Sequence, residues 1–178
     1  MLNADITPMV GEYGSLGCSG DLAPLAHCAL AAMGEGSVRV DGAALTAADA
    51  LAAAGIEPLV LREKEGLALI NGTDGMLGML AIAIGDLDDL LDTADLAAAM
   101  SVEGLAGTDA VFASDLQALR PHPGQATSAA HMRTVLQDSG AIAAHRATGF
   151  TRVQDAYSLR CAPQVHGAAR DTVDHARR

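Results

Sequence analysis

Apolar residues recur at helical spacing along most of the chain. Leu22, Leu25, Ala26, Ala29, Leu30 and Met33 fall on one face, with Asp21 ahead of them as a cap and Pro24 in the first turn, which predicts a helix over Leu22 to Met33. Leu77, Leu80, Ile84, Leu87 and Leu91 form the stripe of a longer helix from Thr73 to Leu91. Its end, Asp86 to Asp92, is acidic and opposes the helix macrodipole, so fraying or partner contacts are expected there. Asp95 to Leu105 and Asp109 to Leu119 read as further helices divided by Gly104 and Gly107. Pro121-His122-Pro123-Gly124 forces a break, after which Gln125 to Gln137 and Pro163 to Arg178 read as helix again. A compact polar segment, Thr151 to Arg160, lies between those two.

The pattern changes at the start of the chain. Met1 to Gly20 contains Pro8, Gly11, Gly14, Gly17 and Gly20 and predicts a shaped loop leading into the first helix. Val38-Arg39-Val40-Asp41-Gly42 predicts a short strand and turn, and Thr46 followed by Asp49 predicts a capped helix to about Ala54. The fold class is therefore all-α, with a Gly-rich loop over residues 1–21, a mainly helical region over residues 22–178 and a short β excursion. No internal repeat or low-complexity linker interrupts it, so residues 1–178 read as a single domain.

Composition narrows the function. Aromatic residues make up 2% of the chain and hydrophobic residues 50%, so the core is built from Ala, Leu, Met and Gly, small enough for close helix approach. Twenty-two acidic against 11 basic residues give a net charge of -11, which argues against a nucleic-acid partner, since phosphate recognition needs clustered Lys and Arg. Met76 to Ile84, interrupted by Gly78, is far short of the roughly 20 residues of a membrane span. The first residues lack the basic and apolar regions of a signal peptide, and three cysteines without paired spacing fit a reducing cytoplasm. His27, His122, His131, His145, His166 and His175 are dispersed and form no compact ligand pattern, so no metal is expected.

The most informative stretch is Gly14-Ser15-Leu16-Gly17-Cys18-Ser19-Gly20-Asp21-Leu22-Ala23-Pro24-Leu25-Ala26-His27. On its own it reads first as a Gly-Ser-rich turn in front of a helix. It also has a chemical use: the unencumbered nitrogen of Gly20 can approach the Cys18 carbonyl in a bent backbone. Ring closure with loss of water, and dehydration of Ser19, would leave an imidazolone bearing a methylidene carbon. Cys18 contributes only its carbonyl carbon, and the following helix N-terminus would stabilise negative charge on the ring oxygen.

This string resembles the prosthetic-group signature of the histidine and phenylalanine ammonia-lyase family, and most of all its bacterial histidine branch. Three later strings resemble that family's signatures in the expected order: Arg62-Glu63-Lys64-Glu65-Gly66-Leu67-Ala68-Leu69-Ile70-Asn71-Gly72-Thr73, Arg120-Pro121-His122-Pro123-Gly124-Gln125, and Val153 through Val165. Together they cover nearly the whole chain.

The resemblance implies an autocatalytic 4-methylidene-imidazol-5-one made from Cys18, Ser19 and Gly20, with no external cofactor. It implies that the amino group of a bound α-amino acid adds to the methylidene carbon derived from Ser19, that a base takes the β proton and that ammonia leaves. For L-histidine the other product would be urocanate. Asn71 matches the Asn that contacts the prosthetic group and substrate; read alone, Asn71-Gly72-Thr73 is a turn and helix cap. Arg160 matches a carboxylate clamp, Tyr157 a Tyr that helps form or stabilise the electrophile, and Gln154 a substrate-positioning residue. Their spacing places all three on one side where the segment is helical.

Departures from the family pattern are specific. Asp74 stands where many relatives have Gln, and His166 where they often have Met or a small residue, a place for tuned packing. The base is a Tyr on an upstream loop, which Tyr13 cannot replace by position. A complete family member resembles a helical tetramer roughly three times this length, so the chain is expected to be an internal fragment completed by homo-oligomerisation or by missing segments. The alternatives are phenylalanine or tyrosine as substrate, one part of a split enzyme, or a noncatalytic helical oligomerisation scaffold.

Overall fold

A computed structural model describes residues 1–149 and 152–178. The chain forms two compact units, Met1–Leu80 and Ala81–Arg178.

In the first unit a 3-10 turn at Leu2–Ala4 leads into β1 (Thr7–Pro8), followed by α1 (Leu22–Ala32), β2 (Ser37–Val40), β3 (Ala43–Thr46) and α2 (Ala47–Ala53). The strands form one antiparallel sheet in the order β1-β2-β3, with Thr7 opposite Arg39 and Val40 opposite Ala43. Asp41 and Gly42 both have positive φ, 48° and 81°, as a two-residue hairpin turn requires. Thr46 caps α2, its Oγ1 accepting from the Asp49 amide at 3.1 Å. Ile6, Ala31, Val38, Ala47, Ala50 and Leu51 close a small core between sheet and helices.

The β excursion is thus larger than Val38 to Gly42. Ala43-Ala44-Leu45-Thr46 carries no strand composition of its own and is recruited by the tight turn that folds it back on β2. Two further helices follow, α3 (Glu65–Ile70) and α4 (Asp74–Gly104).

The second unit holds most of α4, a 3-10 turn at Ala110–Phe112, and α5 (Ser114–Ala118), α6 (Pro123–Leu136), α7 (Gly140–Thr148), α8 (Tyr157–Arg160) and α9 (Ala162–Arg177). Ala99, Val102, Phe112, Ala129, Met132, Leu136, Ile142, Leu159 and Ala162 form its core. Helices α6 and α9 cross backbone to backbone. A Cβ on Gly124 would fall 2.2 Å from the Gly167 carbonyl oxygen, and one on Gly167 would fall 2.3 Å from the Gln125 nitrogen. Only glycine permits that approach.

Three expectations change here. Thr73 to Leu91 and Asp95 to Leu105 are one continuous helix, because the acidic residues that should fray it find cations on α9. Arg177 pairs with Asp88 at 2.5 Å, and Arg170 with Asp92 at 2.7 Å and Asp95 at 2.6 Å. Asp109 to Leu119 is interrupted at Ala113, whose extended backbone (ψ 141°) follows the turn that buries Phe112. The helix α7 was not expected; Ser139 caps it by accepting from the Ile142 amide at 3.1 Å. The expected polar segment starts at Thr151, which lies outside the described residues.

Candidate active site

Cys18, Ser19 and Gly20 form a tight turn in the loop between β1 and α1. The Gly20 amide donates to the Gly17 carbonyl at 2.8 Å, and the Leu16 amide donates to the Gly20 carbonyl at 3.0 Å. Gly17 and Cys18 both have positive φ, 75° and 52°. For Cys18 that is the sparsely populated left-handed region, so the bend is imposed by its surroundings. A Cβ on Gly20 would fall 2.5 Å from the Gly17 carbonyl oxygen and 2.9 Å from Leu16 Cβ. The third position therefore accepts only glycine, as a cyclising tripeptide with a bare nitrogen requires. The residues present fit a backbone-derived imidazolone.

What holds the turn is Asp21. This carboxylate is fully buried, and it does not cap α1, although it occupies that position. Instead Oδ1 accepts the Ser15 hydroxyl, and Oδ2 accepts the Met76 amide in the first turn of α4 at 2.7 Å. The Ser15 hydroxyl, then the Met76 and Gly75 amides, hold its carboxyl below the usual carboxylate range against the opposing effect of burial. The space is tight: a Cβ on Gly75 would lie 3.0 Å from Asp21 Oδ2. By position Asp21 is expected to cap its own helix, and its side chain makes no such hydrogen bond. The missed signal was a second glycine-flanked helix start at Gly72 to Gly75, with amides free to receive it.

Through Asp21 the turn bearing Ser19 is fastened to the helix start that follows Asn71. Asn71 ends α3 with an exposed side chain, and its amide has no hydrogen-bond partner among the described residues. The neighbouring Gly72 packs on α1, where a Cβ would meet Leu25 Cδ1 at 3.4 Å. In the first unit the turn that bears Ser19 and the helix start that follows Asn71 are thus joined through Asp21. Asp74 begins α4 beside them; burial, and after it the Asp74 charge, push the Cys28 thiol up. Cys18, Cys28 and Cys161 are all free thiols.

The other expected site residues belong to the second unit. Tyr157 opens α8 and is exposed; Arg160 closes it, with the guanidinium carbon 4.3 Å from the centre of the Tyr157 ring. That is a cation–π stack, and it follows from the three-residue spacing on a helical turn. Arg160 Nε donates to the Asp155 carbonyl at 3.0 Å. Gln154 lies in a bend before the helix and is exposed, so the expected common side holds for Tyr157 and Arg160, whereas Gln154 stands outside the helical turn. Tyr157 and His166 border a groove of about 400 Å³ against Ala94, Ala97, Ala98 and Ser101 of α4.

One cluster was not anticipated. Asp92, Asp95 and His131 bring three potential ligand atoms within 4.8 Å of one another. Arg170 Nη2 binds both carboxylates, and His166 Nδ1 lies 2.8 Å and His131 Nδ1 3.1 Å from the buried Asp95. Burial acts to raise the Asp95 carboxyl, but His166, Arg170 and Ser128 together bring it below the usual range. The cluster's counter-charge is therefore a guanidinium, and its arrangement is that of an ion-pair network joining α4, α6 and α9.

The model of a family described as aromatic amino acid lyase matches residues 1–178. The chain is 63% identical over 177 residues to the histidine ammonia-lyase of Streptomyces coelicolor, covering 99% of this chain and 34% of that protein. It is 51% identical over 176 residues to the histidine ammonia-lyase of Gloeobacter violaceus, again covering 99% and 34%. Among solved structures it resembles tyrosine aminomutase from Streptomyces globisporus, with a TM-score of 0.75 and 41% identity over 99% of this chain and 36% of that one. It also resembles histidine ammonia-lyase from Trypanosoma cruzi, with a TM-score of 0.68 and 37% identity over 96% of this chain and 30% of that one. The chain spans about a third of the length of the curated relatives it matches.

Proposed function

The chain belongs to the aromatic amino acid lyase family, on its histidine ammonia-lyase side, and from that membership we propose that the protein carrying this segment eliminates ammonia from L-histidine to give urocanate. The observation that carries the proposal is the Cys18-Ser19-Gly20 turn, where a left-handed Cys18 and a Gly20 without room for a side chain suit backbone cyclisation. In that step the Gly20 nitrogen bonds to the Cys18 carbonyl carbon, whose oxygen leaves as water. Ser19 then loses its α hydrogen and hydroxyl as a second water. The resulting 4-methylidene-imidazol-5-one supplies an electron-poor carbon toward the substrate amine.

The chain's own residues do the rest of the work assigned to this segment. Ser15 and the amides at the start of α4 keep Asp21 ionised and fixed, so the turn is preorganised at no cost during reaction. Asn71, whose amide carries both a donor and an acceptor without a partner among the described residues, orients either a ring carbonyl or the substrate. Arg160 receives the substrate carboxylate through charge-assisted hydrogen bonds, and the Tyr157 ring beneath it limits its rotation. Gln154 contributes a polar contact from its exposed bend. The β proton is taken by a group outside these residues, consistent with a chain that spans about a third of its relatives.

The test is conversion of L-histidine by the protein carrying this segment, followed by appearance of urocanate and ammonia. Ser19→Ala is expected to abolish it; equal activity in that variant would exclude the mechanism. An aromatic substrate is the second reading, favoured by the likeness to tyrosine aminomutase. L-tyrosine and L-phenylalanine assayed in parallel decide between the two. Homo-oligomerisation, and complementation by segments beyond this chain, belong to the same proposal.

A further inference from the structure

Arg160 is held by a bracket that no part of the mechanism above uses. Asp155 is buried, and its carboxylate is anchored where α4 ends: Oδ2 accepts the Thr108 amide at 2.7 Å. Arg152 closes the same corner, its Nη2 donating to the Leu105 and Ala106 carbonyls at 3.0 and 2.9 Å and lying 3.4 Å from Asp155 Oδ1. The fit leaves no slack, because a Cβ on Gly107 would meet Asp155 Oδ2 at 3.1 Å and Val102 Cγ1 at 3.2 Å. With its side chain fixed, the main-chain carbonyl of Asp155 is fixed too, and it takes Arg160 Nε at 3.0 Å.

A guanidinium can present two different pairs of N–H groups to a carboxylate: the side edge, Nε with one Nη, or the end formed by Nη1 and Nη2. Here Nε is committed to Asp155, while Nη1 and Nη2 have no hydrogen-bond partner among the described residues. One face of the group is covered by the Tyr157 ring at 4.3 Å. Only the Nη end is left to receive a ligand.

We propose that Asp155 is a positioning residue for Arg160, which it holds so that an amino-acid carboxylate is bound end-on by Nη1 and Nη2. The inference rests on the carboxylate-binding role given to Arg160 above. Gly107 belongs to the same device, as the position that lets the Asp155 carboxylate reach the end of α4.

Two readouts test it in the full protein carrying this segment. Without ligand, the Nε–H of Arg160, followed by ¹⁵N NMR, is expected to exchange slowly, to lose that protection in Asp155→Ala and Gly107→Ala, and to keep it in Asp155→Asn, which retains an acceptor for Thr108. With ligand, affinity for L-histidine is compared with that for L-histidinol, which has no carboxylate. Asp155→Ala is expected to reduce the preference for L-histidine about tenfold, the scale of a lost charge-assisted contact. In an Arg160→Ala background the same substitution is expected to change nothing further. Thermal melts of each variant identify one that fails to fold, and Asp155→Asn and Gly107→Ala then carry the comparison. Unprotected Nε–H in the unaltered protein, or an Asp155→Ala effect that adds in full to Arg160→Ala, overturns the proposal. Protected, Asp155-dependent Nε–H with no L-histidine binding overturns the substrate reading instead and leaves the positioning of Arg160 supported.

Discussion

Asp21 shows how one buried side chain fixes the backbone turn beside it. Its folded carboxyl titrates below the unfolded one, so its contribution to stability is complete above the unfolded value, about pH 4, and is lost as pH falls through the lower folded value. We expect Asp21→Asn to unfold at lower temperature than the parent near neutral pH and the gap to close in acid, as read by melting curves over a pH series. A gap independent of pH would mean that the carboxylate charge is not what matters. Cys18, Ser19, Gly20, Asn71, Gln154, Tyr157 and Arg160 could be singled out because each sits in a string of fixed order; the roles given to them remain proposals. Asp21 and Asp155 could not: both act through main-chain amides 55 and 47 positions away, and no local pattern records such a partner.

Among the elements, α4 owes its continuity to α9. Arg177 and Arg170 make similar ion pairs on paper, but Arg177 and Asp88 are about half exposed while Asp95 is 1% exposed. We expect Arg177→Gln to cost less than about 1 kcal/mol, as exposed pairs do. Arg170→Leu should cost about 3 kcal/mol, since it removes the guanidinium from a buried carboxylate and leaves it to His131, His166 and Ser128. Chemical denaturation of both variants measures the difference, and equal losses would contradict the role given to burial. The helical periods of α1, α6 and α9 were readable from spacing, as was the Thr46 cap. The join between the two halves of α4 was not, because the countercharges that permit it lie about 80 residues downstream. The strand β3 leaves no local signal for a related reason, since its pairing is dictated by the Asp41-Gly42 turn and not by its own Ala-rich composition.

For the molecule as a whole, the most prominent feature beyond the site is the apolar surface of α4. Leu77, Leu80, Ile82, Leu90 and Met100 are all exposed along it, large apolar side chains distributed around the helix that a partner would cover. We expect the 178-residue chain to sediment as an assembly larger than 18.0 kDa, and paired substitutions such as Ile82→Glu with Leu90→Glu to shift it toward the monomer. A monodisperse monomer of the unaltered chain would show that this surface needs no partner. Whether Cys18-Ser19-Gly20 cyclises is read from the intact mass of the protein carrying this segment, with peptide mapping across the turn. A mass lower than the sequence sum by about 36 Da, two waters, is expected, confined to that peptide and absent in Ser19→Ala; an unmodified peptide in the assembled protein would exclude cyclisation.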